Sequence, residues 1–400
     1  MYINPCDSYN LSSSTWRCIT KKIIITTIFV GFLISLVIFS NNTIIAAKEG
    51  LLLWANCVVP AVFPFCIAVE LLNYTELAHI LGKLLNGLMR PLFNVPGIAS
   101  YALIMGIISS SPIGATITYD LYENNLITKN EAERILAFTN NTGPLFIVGT
   151  TGTLLFGSKL IGYLLLLTHI LACLTVGIIL GITSRIKKEN KEIYDKNYYK
   201  KTIKRNTEDL NDLGGILSLS IKKSIALVLQ IGGFVVLFSV IISILNESNV
   251  FEITGNILEK FYIPKEFTKN ILTGMLELTS GVSVVAKLQT SHLSLNIIIC
   301  SFLLGFCSLS VMLQVKSVVS KSNLSIKTYI KGKLLHGITS MLYTAILIKY
   351  MPIFQLDIKP YTASISLTKT TLIIITFIVA FATILIKSEL HHKLSSKQYN

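Results

Sequence analysis

Apolar and polar positions alternate along the chain in long blocks. Ile23 to Ser40 is an apolar run of 18 residues behind Lys21-Lys22, at the lower limit for a helix that crosses a bilayer. It predicts a first spanning helix with a cytoplasmic N-terminus; the competing reading is a signal peptide cleaved near Ile45-Ala46-Ala47. Leu51 to Leu72 is a second span that Pro60 and Pro64 should kink or break. Leu77 to Phe93 repeats Leu, Ile and Met at helical spacing with His79, Lys83, Asn86 and Arg90 off the stripe, which predicts a helix lying in the interface. Val95-Pro96-Gly97 then opens a third span, Ile98 to Ile117.

Asp120 to Arg134 reads as water-facing, and Thr128-Lys129-Asn130-Glu131 has capping-box spacing, so a helix should start at Thr128. Residues 136–157 follow as an apolar stretch with Asn140-Asn141-Thr142-Gly143-Pro144 at its centre. A single helix through Gly143-Pro144 would be costly, and this stretch predicts a re-entrant hairpin with that segment at its tip. Lys159 to Ile182 is the next span.

The second half repeats this order. A span at Ile216 to Leu245 precedes an amphipathic stretch at Val250 to Tyr262 and a span from Ile263-Pro264 to Ala286. An apolar stretch at Leu293 to Val315, a Lys-rich loop at 316–333 and spans at Leu334 to Tyr350 and Thr370 to Ile386 complete it. A shift of 168 residues sets Val95-Pro96 on Ile263-Pro264, Met105-Gly106 on Thr273-Gly274 and Phe138 on Phe306. The chain therefore divides into an N-terminal segment and first helix (1–50), a first repeat (51–184), a basic linker (185–213), a second repeat (214–352) and a last helix with tail (353–400). Three spans and one hairpin per repeat make the second repeat enter the membrane inverted. The predicted fold class is an all-α polytopic membrane protein of two inverted-topology repeats, each with a re-entrant helical hairpin.

Composition agrees with this class. Apolar residues make up 52% and charged residues 14%, against about a quarter charged in soluble chains. The net charge of +14 comes from Lys and Arg between the apolar blocks, as the positive-inside rule requires, and does not point to nucleic acid. Residues 185–209 hold nine basic and five acidic residues and read as cytoplasmic, whereas 118–134, with four acids and two bases, read as external. The seven cysteines show no metal or disulfide spacing, and His169, His292 and His336 read as isolated helix-contact residues. No hydrolase, metalloprotease, ATPase or dinucleotide motif occurs, so no enzyme is expected. No organic cofactor or metal is expected either, and coupling to a proton or sodium ion is left open. The partners expected are a small-molecule substrate and the lipid bilayer; whether a homo-oligomer forms stays open.

Candidate chemistry lies in small polar interruptions of apolar runs. In lipid such breaks are tolerated only where they are buried or line a cavity, and a matched pair in two halves is a pointer to a transporter's binding site. The substrate-lining candidates are Ser110 and Ser111 in one break and Asn140, Asn141, Thr142 and Gly143 in the next. In the second half they are Glu277, Thr279 and Ser280, then Ser308 and Ser310. An acid in mid-span, as at Glu277, is costly and marks a functional site by default, with capping of a broken helix end as the structural alternative.

SSSPIGA at 109–115, FTNNTGPLFI at 138–147, ELTSGV at 277–282 and GFCSLSVMLQ at 305–314 resemble the YlbJ-type sporulation integral membrane proteins, within the nucleoside-recognition Gate-domain group. The second-half pair is also similar to the concentrative nucleoside transporters, and this resemblance implies that Glu277, Ser308 and Ser310 line a substrate site. The first-half segment departs from those transporters, since Asn140-Asn141-Thr142-Gly143 stands where they carry Gln-Thr-Glu. The family resemblance implies a multi-pass protein of the outer forespore membrane that carries dipicolinic acid towards the spore by alternating access. The rival readings are a nucleoside or other metabolite carrier of the same fold, and a non-transporting scaffold for spore-envelope assembly.

Overall fold

A computed structural model describes residues 13–75, 77–187, 212–260, 265–288 and 293–350. The expected last helix at Thr370 to Ile386, most of the linker and His292 lie outside the described residues. The described chain is almost wholly helical: α1 (Ser13–Ile38), α2 (Ser40–Leu72), α3 (Leu77–Phe93), α4 (Ala99–Ser109), α5 (Ile113–Glu123), α6 (Lys129–Thr139), α7 (Leu145–Leu155, wound as a π-helix) and α8 (Lys159–Ile186). The second half follows with α9 (Leu213–Glu247), α10 (Val250–Glu259), α11 (Lys265–Leu276), α12 (Leu278–Lys287), α13 (Leu293–Phe306), α14 (Ser308–Val318) and α15 (Lys327–Tyr350). Among the described residues, four helical stretches are long and apolar enough to cross a membrane: Ser40–Leu72, Lys159–Ile186, Leu213–Glu247 and Leu293–Lys321. The chain is a polytopic membrane protein.

The order long helix, short amphipathic helix, helix pair, helix pair, long helix occurs twice, from α2 to α8 and from α9 to α15. Equivalent elements also touch. The Trp54 indole N–H, in a π-helical turn of α2, donates to the Val228 carbonyl of α9 at 3.0 Å, and Thr175 and Tyr343 hydroxyls tie α8 to α15 at 2.8 Å. α5 packs on α14, while α12 packs on α7. Each half thus lends the outgoing arm of one helix pair to the interrupted helix of the other.

α4 and α5 fold back on each other, as do α11 and α12. Glycine lines both contacts: a Cβ on Gly106 would meet the Gly114 Cα at 3.3 Å and overlap the Thr139 carbonyl, and one on Gly281 would overlap the Gly274 Cα. Each arm of α4 and α5 has 11 residues, about 16 Å, which is half of a ~30 Å hydrocarbon core. The stretch expected as one full span, 98–117, is thus two short paired helices and not one continuous helix. Conversely, α6 and α7 have little contact with each other. The stretch 136–157 is interrupted at 140–143, as its sequence predicts, and the helix before the break starts earlier, at Lys129. The capping box at Thr128 forms as expected, with the Thr128 amide donating to the Glu131 carboxylate at 3.0 Å and the Glu131 amide to the Thr128 hydroxyl at 3.3 Å. Glu131 is buried and pairs with Arg90 at 3.3 Å.

A second correction follows from the same helix. The Ser325 amide donates to the Glu133 carboxylate at 2.9 Å, so the stretch around 124–133 shares one end of the bundle with the Lys-rich 316–326 turn. Arg185, at the start of the basic linker, donates to the Arg90 carbonyl at 2.9 Å and joins them there. The charge count alone sets the acids at 118–134 on the opposite side from these basic segments. Carboxylates weigh little in membrane orientation, and these are partly consumed by local pairing.

Candidate functional site

Four interruptions fall between the paired helices, and each has a local cause. Between α4 and α5, Ser110 takes φ 80° ahead of Pro112, which offers no N–H. Between α6 and α7, Pro144 disfavours a helical Gly143 and leaves residues 140–143 out of helix. Glu277, between α11 and α12, is extended (φ −138°, ψ 121°). Cys307 and Ser308, between α13 and α14, have φ 69° and 64°. Left-handed φ at a residue other than glycine costs about 1–3 kcal/mol and is held in place only by its surroundings. Three such residues sit in these breaks.

The breaks converge. Ser110 and Ser111 of the first, Thr142 of the second, and Glu277 and Thr279 of the third line one cavity of about 50 Å³, together with Gln314 of α14. Apolar side chains from Val58, Val62, Phe146, Ile231, Val235, Leu278 and Val311 close it. The fourth break is tied in from behind: the Thr142 hydroxyl donates to the Leu304 carbonyl at 3.1 Å and lies 3.7 Å from the Cys307 sulfur. Gly143 seats the first hairpin, since a Cβ there would come within 2.9 Å of the Ser110 Cβ.

Glu277 is 2% exposed, and both carboxylate oxygens accept amides of its own helix start, Thr279 N–H at 3.0 Å and Ser280 N–H at 2.6 Å. It caps α12. A helix N-terminus at membrane depth would otherwise offer those donors to an anion. Here the Glu277 side chain of the chain itself takes them.

The remaining candidates turn away from it. Ser308 and Ser310 are buried in α14, where their hydroxyls accept from the Val311 amide and the Gln314 side chain, each at 3.4 Å. Ser280 contributes its amide to Glu277. Asn140 and Asn141 point to the opposite side of their break, into a second polar cluster. The Asn140 amide donates to the Tyr329 hydroxyl at 3.0 Å; the Asn141 amide donates to the Phe138 carbonyl at 2.9 Å, and its oxygen accepts from the Lys333 ammonium at 3.3 Å. Ser111 links cluster and cavity by donating to the Asn141 backbone carbonyl at 3.1 Å.

Lys333 and its neighbours are what the sequence reading missed. Lys333 fell in a stretch read as loop, but α15 starts at Lys327 and buries it completely. His169 and His336, read as isolated, lie with ring centroids 4.4 Å apart. A signal was present: Tyr329, Lys333, His336, Ser340 and Thr344 recur at helical spacing as an unbroken polar stripe, and all five are fully buried.

The fold and site define a membrane protein with two helical halves and a cavity built from their interruptions. Residues 57–185 match the Gate family, described as nucleoside recognition. Over 333 residues the chain is 34% identical to the sporulation integral membrane protein YlbJ of Bacillus subtilis (strain 168), covering 79% of each chain. No solved structure matches. At this identity and coverage, the chain belongs to the YlbJ family of sporulation integral membrane proteins.

Proposed function

We propose that this protein is an alternating-access transporter that moves a small aromatic dicarboxylate, dipicolinic acid, across the outer forespore membrane during sporulation. The observation that carries the reading is the convergence of the hairpin and interrupted-helix breaks of both halves on one small cavity. Breaks in matching elements of two halves are how secondary transporters build a midplane site. The two halves are taken as inverted repeats, with α4–α5 and α11–α12 as re-entrant hairpins entering from opposite faces. A cavity of about 50 Å³ holds a few waters, at about 10–15 Å³ needed for each, and is below the ~300 Å³ at which ligand clefts begin. A ring-sized solute enters only when a hairpin moves, which is the motion alternating access needs.

The lining sets the chemistry. Ser111, Thr142, Thr279 and Gln314 offer uncharged donors and acceptors, and Ser110 adds a backbone bend. Glu277, held by its own helix amides, positions the second hairpin. One observation favours a second reading, a neutral nucleoside-like solute: among the described residues, the one ionisable side chain that lines the cavity is an acid.

The test is the dipicolinate content of spores from a deletion strain, complemented with wild type or with Thr142→Val at matched protein level. Mother-cell dipicolinate is assayed in parallel. Transport gives spores depleted in dipicolinate with accumulation outside them. Normal spore dipicolinate in the deletion strain overturns the dipicolinate reading, and normal sporulation with every cavity variant moves the case to a scaffold.

A further inference from the structure

The bundle buries a lysine that has no acid beside it among the described residues. Lys333 Nζ is fully buried and touches two neutral acceptors, Asn141 Oδ1 and His336 Nδ1, each at 3.3 Å. The His336 Nε2 lies 3.0 Å from the His169 carbonyl, which can only accept. Nε2 therefore carries the proton, Nδ1 presents a lone pair, and the ammonium is the donor to it. The other titratable groups facing this cluster are His169 and Cys173 on α8, Tyr329 on α15 and Cys307 at the α13–α14 break. Among the described residues none is a carboxylate within ion-pair distance.

A buried ionisable side chain in a membrane bundle marks a functional group by default, and the partner that suits an ammonium is an anion. The cluster also holds polar atoms with nothing to bond: the Asn140 Oδ1 and both ring nitrogens of His169 are buried without partners. Its wall towards the cavity is one residue thick, because Asn141 carries Lys333 on its side chain and Ser111 on its backbone carbonyl. The Asn141 oxygen is a neutral occupant of a place where a carboxylate oxygen would bind about twice as strongly.

We propose that Lys333 is the anion-binding group of the substrate path, receiving a carboxylate of the solute when the 140–142 segment swings aside and Asn141 gives up its bond to the ammonium. This rests on the transport reading and names what the cavity lining lacks, a cation for an acidic solute. A single carboxylate suffices, so the subsite takes aromatic monocarboxylates as well.

The test uses purified full-length protein and thermal unfolding with three probes: pyridine-2,6-dicarboxylate, benzoate and the neutral isostere pyridine-2,6-dimethanol. Both carboxylates are expected to raise the melting temperature of wild type in a saturable way, and the neutral probe to leave it unchanged. Lys333→Met should weaken the apparent affinity for both carboxylates about tenfold to a hundredfold, as expected for a lost hydrogen bond to a charged group, and Lys333→Arg should keep most of it. The ligand-free melting temperature of Lys333→Met checks that it folds, and Lys333→Arg keeps the comparison valid if it does not. Unchanged carboxylate affinity in Lys333→Met, or equal stabilisation by the neutral probe, overturns the proposal. Uptake of dipicolinate into proteoliposomes separates the two readings. Carboxylate binding through Lys333 without dipicolinate uptake leaves this inference standing and removes the transport reading; uptake with an unaltered KM in Lys333→Met does the reverse.

Discussion

The Ser325 backbone amide donates to the Glu133 carboxylate across 192 positions of sequence, at 2.9 Å. This bond fixes which turns of the two halves lie together. Single cysteines placed at Asn125 and Ser322, in a background without native cysteines, should label from the same side of the membrane with an impermeant maleimide. Cysteines at Gly157 and Asn249 should label from the other side. Opposite labelling of 125 and 322 would show that residues 98–117 cross the membrane and that the hairpin is elsewhere.

Glu277 holds the α12 N-terminus by two amide bonds. Glu277→Ala leaves both donors buried and should cost about 1–2 kcal/mol, read as a fall in melting temperature. Glu277→Gln keeps one acceptor oxygen and should fall between the two. A Glu277→Ala protein as stable as wild type would separate the acid from the cap and return it to direct solute chemistry.

The glycines of the two hairpins make a sharper contrast. Gly106→Ala and Gly281→Ala drive a methyl group into backbone, the Thr139 carbonyl and the Gly274 Cα, and each should cost about 1–3 kcal/mol by overpacking or fail to accumulate. Gly87→Ala and Gly233→Ala meet nothing within 4 Å and should be neutral or stabilising by up to about 1 kcal/mol through helix propensity. Melting temperature and yield in detergent read all four.

Asn141→Asp places a carboxylate where Asn141 Oδ1 now meets Lys333. The variant should be more stable than wild type and should no longer be stabilised by added aromatic carboxylates, because the ammonium is occupied from within. Asn141→Ala should be less stable by about 1–3 kcal/mol, through a buried donor left unmatched.

Much of this arrangement is legible in the chain, and the parts that are not have identifiable reasons. The 168-residue offset carries α8, which starts at Lys159, onto α15, which starts at Lys327, and pairs the breaks at 110 and 277 and at 140 and 307 to within a residue. Interruptions by Pro, Gly and small polar residues announce themselves in apolar runs. What lies between them does not. Whether two arms fold back or run on depends on contacts such as Gly106 with Gly114, and on Glu131 finding Arg90, which lets a polar first turn be buried. The candidates divide for a similar reason: outside the helix, adjacent residues face different ways, so Thr142 reaches the cavity while Asn141 turns to Lys333. The polar stripe of α15 was readable, but three lysines in KTYIKGKLLHG disguised a buried helix face as a charged loop.

The exchange of arms between halves also imposes an order of assembly. The α5 arm rests on α14, which begins 195 positions later in the chain, Ile113 against Ser308. At about 5–20 residues per second, synthesis leaves that arm without its seat for on the order of 10–40 seconds. Through that interval the α4–α5 pair, with the bent backbone of Ser110 at its tip, rests on α2, α3 and α6 but lacks its seat in the second half. Either it stays near the interface until the second half emerges, or the insertion machinery holds it there. A ribosome that pauses within α9 to α13 prolongs the stage at which this protein is most exposed to quality control.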